Sequence, residues 1–330
     1  MNRVRWGIIG AGSIAGRFSE ALAALPEAET LAVGSRSQNS ADRFAGTHGF
    51  SRAYPSYEEL AADPDVDVVY VATPHPFHAG NVELCLRAGK AVVCEKPFTV
   101  NAAEARRLVG LARERDLFLM EGMWTRFFPL MGRLRRMLSD GALGEPRMLT
   151  VDFGFRAELD PASRLFDPKL GGGAMLDVGV YCVSLASMVL GRPVRGTGIS
   201  HLGETGVDEQ FAAALEHAGG RISAITAGTR TATPQEATVL GTEGYARIHS
   251  PWWRPETMTI SRPGGEDEVI REPTEDNGFR YEAAEVMRCL RAGEKESGTM
   301  PLEETISVLE TMDDIRAAWG LRYPGEEEAR

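Results

Sequence analysis

A glycine turn close to the start constrains this chain more than any other feature. Val4 to Ile9 is a short apolar run that ends in Gly10-Ala11-Gly12-Ser13-Ile14-Ala15-Gly16, after which Phe18, Leu22 and Leu25 recur at helical spacing. Strand, glycine turn and helix in that order open a dinucleotide-binding unit. In such a unit Gly10 allows the tight turn, Gly12 lets the backbone approach a pyrophosphate, and Gly16 permits close helix packing. Ser13 and Ile14 begin the helix, whose first N–H groups lack intrahelical acceptors and lie at the dipole end that favours an anion. A dinucleotide cofactor is therefore expected here.

The end of the next apolar strand, Leu31 to Gly34, bears on which dinucleotide. An acidic side chain there bonds the ribose hydroxyls of NAD and repels a 2′-phosphate. No Asp or Glu stands between Thr30 and Ala41, and the segment reads Gly34-Ser35-Arg36-Ser37. Ser35 offers a hydroxyl and Arg36 a guanidinium suited to phosphate, so the expected cofactor is NADP(H).

Strand and helix patterns keep alternating: strand Val66 to Ala72, helix Phe77 to Arg87, strand Ala91 to Glu95, helix Ala102 to Arg113, strand Leu117 to Glu121. Repeated units of this kind imply a parallel sheet with ligands beyond its carboxyl edge. Two strand ends fall there: Thr73-Pro74-His75-Pro76-Phe77-His78 and Glu95-Lys96-Pro97. His75 and His78 do not suggest a metal site, because Pro76 and Phe77 interrupt helical spacing and no third ligand is apparent. His78 is expected to cap the following helix or lie near the cofactor.

From Arg147 the pattern changes to β-rich stretches, Met148 to Phe155, Phe211 to Glu216, Ile222 to Thr229 and Ala237 to Leu240, joined by Gly-rich turns. Helices are expected over Ala174 to Leu190, Tyr281 to Arg291 and Leu302 to Trp319. The fold class is then α/β: a doubly wound parallel Rossmann domain over residues 1–123, and an α+β domain over 124–330 with a mainly antiparallel open sheet. A length of 330 residues with 43% hydrophobic content suits two such domains. The Glu326-Glu327-Glu328 tail reads as solvated.

A net charge of −11 disfavours nucleic-acid or anionic-membrane partners, which need clustered Lys and Arg, and points to a small-molecule partner. Cys85, Cys94, Cys182 and Cys289 stand far apart, without the close spacing that builds a zinc site, and read as reduced, mostly buried thiols. The N-terminus enters a strand directly, and no later apolar run approaches membrane-spanning length, so the expected location is the cytoplasm.

Together, the glycine triplet, Thr73-Pro74 and Glu95-Lys96-Pro97 resemble the glucose-fructose oxidoreductase and inositol dehydrogenase family, Gfo/Idh/MocA, over the whole chain. The segments Met120-Glu121-Gly122-Met123-Trp124-Thr125-Arg126-Phe127 and Asp177-Val178-Gly179-Val180-Tyr181-Cys182 look like its dihydrodiol and NADP-dependent D-xylose dehydrogenase branch. The resemblance implies that Lys96 lies beside nicotinamide and substrate, and that Lys96-Pro97 is a cis peptide. Many relatives carry a histidine where this chain has Tyr181, which matches the narrower branch. It also implies a homodimer formed through the second domain's sheet.

Taken with the residues, the resemblance predicts hydride transfer between NADP and a sugar, polyol or dihydrodiol hydroxyl. Such a reaction needs one proton acceptor near the hydroxyl, and Tyr181 is the candidate. A free phenol titrates near ~10, and an ammonium such as that of Lys96 would lower this value. Asp177, four residues before Tyr181, would share its helix face and hold substrate hydroxyls or orient the lysine. Trp124, Arg126, Phe155, Trp253 and Phe279 are expected around the substrate, the aromatic rings suiting a dihydrodiol or the apolar face of a sugar. The alternatives are a nicotinamide-dependent glycosidase of the same superfamily and a non-catalytic NADP sensor.

Overall fold

The computed structural model describes residues 3–326, which group into two compact units. The first comprises Met1–Thr99, Ala103–Trp124 and Glu275–Thr305, and the second Val100–Ala102, Thr125–Thr274 and Ile306–Arg330. The division is not a single cut near residue 123: a C-terminal segment belongs with the first unit and takes Phe279 with it.

In the first unit the chain runs β1 (Val4–Ile9), α1 (Ser13–Ala23), β2 (Ala28–Gly34), α2 (Gln38–His48), β3 (Arg52–Tyr54), α3 (Tyr57–Ala62), β4 (Val68–Val71), α4 (His78–Arg87), β5 (Ala91–Glu95), α5 (Ala102–Glu114) and β6 (Leu119–Gly122). The six strands form one parallel sheet in the order β3-β2-β1-β4-β5-β6. Strand order reverses between β1 and β4, so the turns after these two strands flank the crevice where such sheets take their ligands. β1, β4 and β5 are almost wholly buried, as near-continuous Val/Ile runs covered on both faces should be.

The core of this unit is aromatic. Phe18 of α1 stacks on Tyr70 of β4 at 3.7 Å and meets Trp6 of β1 edge-on at 5.3 Å. Phe279 adds a further edge contact to Phe18, and the main chain of β6 is continued by a bond from Leu119 N–H to Lys295 C=O at 3.0 Å. The segment Glu275–Thr305 thus completes a core that the first third of the chain begins.

The second unit holds α6 (Pro129–Ser139), β7 (Pro146–Gly154), a π-helical turn (Met175–Gly179) leading into α7 (Val180–Leu190), then β8 (Pro193–Leu202), β9 (Asp208–His217), β10 (Arg221–Gly228), β11 (Ala237–Gly241), β12 (Tyr245–Ile248), β13 (Thr257–Ser261) and β14 (Glu268–Arg271). Two more helices follow, α8 (Arg280–Ala292), which lies in the first unit, and α9 (Leu302–Ala318). The eight strands are ordered β14-β13-β12-β11-β7-β10-β9-β8, antiparallel except for β7 and β10. One face, carrying Leu149, Val151, Phe153, Phe211 and Ile225, is buried and packs α7.

Apolar all round, α7 belongs in a core, and every residue from Val180 to Leu190 except Met188 is buried. The expectation that no run approaches membrane-spanning character needs correcting here. Pro168–Leu190 is long and apolar enough by composition, but 94% of its most apolar window is inside the protein. The start of this helix also departs from expectation, because a wide π turn replaces the first α turn. The four cysteines are free and buried, and burial pushes the Cys85 thiol up to about 12.

Candidate active site

The cofactor end of the first unit is built from turns that follow parallel strands. Gly10 has φ +103°, and a Cβ on it would stand 2.8 Å from the Ala72 carbonyl oxygen, so the turns after β1 and β4 touch backbone to backbone. A Cβ on Gly12, by contrast, meets nothing within 4 Å. Ser13 and Ile14 are exposed, no side chain caps the start of α1, and no acidic residue lies in its first turn. Open space in front of uncapped N–H groups is what a pyrophosphate needs, and this chain's residues fit a dinucleotide there. Gly16 faces the His48 ring, where a Cβ would stand 3.2 Å away.

At the end of β2, Ser35 is buried and bonds through its amide to Tyr54 C=O at 3.1 Å. Arg36 is exposed, and its charge is felt by the Tyr57 phenol, whose pKa is nevertheless raised by burial. The expected phosphate-binding side chains therefore stand at the sheet's carboxyl edge on a neighbouring strand to the glycine turn.

Two further turns complete this edge. The Thr73 hydroxyl accepts from Asn81 Nδ2 at 3.0 Å, and Pro74 follows it. His78 is buried with Nδ1 2.9 Å from Pro97 O and Nε2 2.6 Å from Thr73 O, so one imidazole ties the turn after β4 to the turn after β5. Burial holds its pKa below the ordinary histidine value, so near neutral pH the ring carries one proton and donates to one of these carbonyls. His75 is half-buried with its ring centroid 5.8 Å from that of His78, and no cluster capable of holding a metal occurs among the described residues.

Lys96 is followed by a cis bond to Pro97, as the resemblance implied. Buried carboxylates hold the backbone on either side: Glu95 accepts from the Lys96 amide at 3.2 Å and from the Tyr70 hydroxyl, while Glu121 accepts from the Phe98 amide at 3.1 Å and from Thr305 Oγ1 at 3.0 Å. Glu282, on α8, is fully buried and has no hydrogen-bond partner for either oxygen. Burial, and then the nearby Glu95 charge, push its pKa well above the carboxylate range and keep it neutral. Trp124 stacks on Phe279 at 4.5 Å in the same unit.

In the second unit, the π turn places Asp177 and Tyr181 at the start of the buried helix, 6% and 8% exposed respectively. Asp177 Oδ1 accepts from Arg164 Nη1 at 2.8 Å, an ion pair the sequence reading did not foresee. Tyr181 packs at 5.3 Å against Phe153, which also stacks on Trp253 at 5.3 Å; Trp253 Nε1 donates to Gln235. Phe155 is half-buried two residues beyond Phe153. Arg126, expected around the substrate, is buried, and its guanidinium donates to Ser184 Oγ at 2.9 Å and Ser184 O at 2.7 Å, bracing α7. Sequence reasoning missed Phe153, Arg164 and Glu282. Phe153 had a signal, since it alternates with Leu149 and Val151 along β7.

A family profile described as an oxidoreductase family with an NAD-binding Rossmann fold matches residues 4–123, and one for the GFO/IDH/MocA C-terminal domain matches residues 131–247. The chain belongs to the Gfo/Idh/MocA oxidoreductase family. Similar family members include the trans-1,2-dihydrobenzene-1,2-diol dehydrogenases of Mus musculus and Homo sapiens, each 40% identical over 98% of this chain and 99% of the relative. Among solved structures, a 3-ketoreductase from Actinomadura kijaniata in complex with NADP and TDP-benzene superposes with TM-score 0.86 at 29% identity, covering 96% of this chain and 98% of that one. An aldose-aldose oxidoreductase from Caulobacter crescentus shares the fold, with TM-score 0.87 at 24% identity over 97% and 99% of the two chains.

Two glycine substitutions separate folding from binding in this family's turn. Gly10→Ala forces a side chain into a positive-φ, close-contact position and is expected to cost about 1–3 kcal/mol of unfolding free energy. Gly12→Ala, with free space around its Cβ, should unfold like the parent yet bind NADPH more weakly in a fluorescence titration. Unchanged NADPH binding in Gly12→Ala would remove the pyrophosphate from the start of α1.

Proposed function

We propose that the protein is an NADP-dependent dehydrogenase that oxidises a secondary or anomeric hydroxyl of a dihydrodiol, sugar or polyol, with Tyr181 as the acid/base. The observation that carries this reading is the setting of Tyr181, a phenol at the start of a buried helix beside Phe153 and the stacked Trp253. An apolar aromatic wall next to one proton-accepting oxygen suits a cyclic substrate with vicinal hydroxyls. The 40% identity to dihydrodiol dehydrogenases supports the same substrate class.

In the oxidation direction the Tyr181 oxygen takes the hydroxyl proton, and in reduction it returns that proton to the new alkoxide. Bound NADP+ supplies the hydride acceptor. Asp177, its charge balanced by Arg164, is assigned to hold substrate hydroxyls rather than to take the proton. Lys96 is assigned as the assisting ammonium beside nicotinamide and substrate. Removing only the phenolic oxygen with Tyr181→Phe should lower kcat by about 10²- to 10⁴-fold in a reduced-nicotinamide absorbance assay with a trans-dihydrodiol, D-xylose, D-glucose and inositols. Equal turnover in parent and Tyr181→Phe would overturn the assignment.

NADP rather than NAD is assigned on Arg36 and Ser35, with no carboxylate at the end of β2 and NADP bound in the similar 3-ketoreductase. Arg36→Ala should raise KM for NADP by about tenfold, the weight of one charge-assisted hydrogen bond, and leave KM for NAD unchanged. A parallel rise for both cofactors would count against a 2′-phosphate at this position.

The open face of the second unit's sheet is assigned to a homodimer. Across paired strands it presents Thr197, Ala214, Ala224, Thr150 and Thr238, a flat row of small side chains. Ile199, Ile222 and Met148 are exposed beside it, Ile199 by 78%. A smooth, partly apolar sheet face of this kind suits a two-fold partner presenting the same surface. Sedimentation equilibrium should give a dimer that Ile199→Asp combined with Ile222→Asp converts to monomer, whereas a monomeric parent would refute the assignment. Four free thiols suit a reducing compartment, and the cytoplasm is assigned on that basis.

A further inference from the structure

Asp208 begins β9 and is fully buried. Its Oδ2 accepts the backbone N–H of Met175 at 2.7 Å, the first residue of the π turn that leads to Asp177 and Tyr181. Its Oδ1 has no hydrogen-bond partner. That oxygen lies over Gly173, where a Cβ would stand only 2.2 Å from it, and Gly173 itself has φ +113°. Glycine is thus required there both by backbone conformation and by the carboxyl group above it.

The same short stretch is gripped elsewhere. Tyr323 Oη donates to Gly172 O at 2.7 Å, Gly173 N–H donates to Leu165 O at 2.9 Å, and Asp177 N–H reaches back to Gly173 O at 3.2 Å. Leu165 adjoins Arg164, the partner of Asp177. A displacement at Gly173 or Met175 is therefore transmitted to Asp177 within about one helical turn.

We propose that Asp208 is a positioning residue: by holding the Met175 amide against Gly173, it sets where the helix bearing Asp177 and Tyr181 begins. The proposal rests on the assignment of those two residues under Proposed function. Asp208 acts through the helix and not on the reacting atoms.

The carboxyl is pushed up to about 7 by burial, against the Met175 N–H, its own amide and the Arg316 charge, all of which pull it down. The charged and titratable side chains acting on it are Arg316 from α9 and Tyr323 beyond it. In the neutral acid the carbonyl oxygen still accepts from Met175. Ionisation leaves a charged oxygen unmet against Gly173, an unfavourable arrangement. Because the folded value lies above the ordinary unfolded value of about 3.9, the native state binds the proton more tightly. Stability from this group is complete below about 4 and is lost as pH rises to about 7.

Three measurements on Asp208→Ala and Asp208→Asn test the proposal. Asp208→Ala should speed hydrogen exchange at residues 175–181 by about tenfold, the loss of one buried hydrogen bond, and raise KM for the hydroxyl substrate by a similar factor. KM for NADP should stay within about twofold, since the glycine turn and the turns after β2, β4 and β5 belong to the other unit and keep all their residues. Asp208→Asn, which keeps the acceptor and removes the titration, should restore exchange and KM and lack the parent's loss of stability between about pH 4 and 7. Exchange at 175–181 unchanged in Asp208→Ala, or a parental pH slope in Asp208→Asn, would overturn it. Should Asp208→Ala not fold, the pH slope of Asp208→Asn against the parent decides alone. Exchange and pH slope need no substrate, so failure of the Tyr181 assignment, read from Tyr181→Phe turnover, is seen separately.

Discussion

A helix begins with backbone N–H groups that have no acceptor within it, and this protein treats two such beginnings in opposite ways. At α1 the N–H groups stand without a side-chain cap before the open space at Gly12, with no acidic residue in the first turn to compete for them. At the π turn before α7 a buried carboxyl, Asp208, takes the Met175 N–H from inside the core. One start is left unsatisfied by the chain and suits an anion from outside. The other is satisfied within and suits rigid presentation of side chains. The remaining features of both units serve these two arrangements: parallel strands deliver α1 to the sheet edge, and the second sheet supplies the floor under α7.

Buried acids recur beneath the chemistry of the first unit. Glu95 and Glu121 hold the amides of Lys96 and Phe98, and Glu282 sits near Glu95 with no hydrogen bond of its own. Two adjacent buried carboxylates cannot both stay ionised at modest cost, and the neutral one here is Glu282. The Tyr70 hydroxyl satisfies an oxygen of Glu95. A network of this kind fixes a turn more firmly than it stabilises a fold, because each missing partner would be felt in a low-dielectric interior.

Much of this was legible in the sequence, for reasons that are local. The glycine turn, the strand ends at Thr73 and Lys96, and the apolar stretch leading to Leu190 announce themselves through residue type and period. The short pieces did not. α3 is six residues and β3 three, too brief for a period to register, and β8, with Val194, Ile199 and Leu202 exposed, carries none of the usual apolar alternation. The bond from Arg126 to Ser184, 58 positions along the chain, leaves no local trace in the sequence. Asp208 and Glu282 carried no signal at all. A carboxylate in a polar-looking stretch is usually solvated, and only tertiary structure shows these two enclosed.

The first unit does not close when its last strand has been made. Trp124 finds its stacking partner in Phe279, β6 is continued by Lys295, and Asn277 donates to Arg17 C=O on α1 at 2.7 Å. During synthesis, therefore, the N-terminal unit cannot finish folding as soon as it emerges: it must wait, with part of its aromatic core uncovered, until the chain has been extended past residue 300. Late closure of this kind lengthens the time an apolar surface is open to wrong partners. It also means that a fragment cut after β6 would lack elements of its own fold, although it would carry the whole glycine turn and every strand of its sheet.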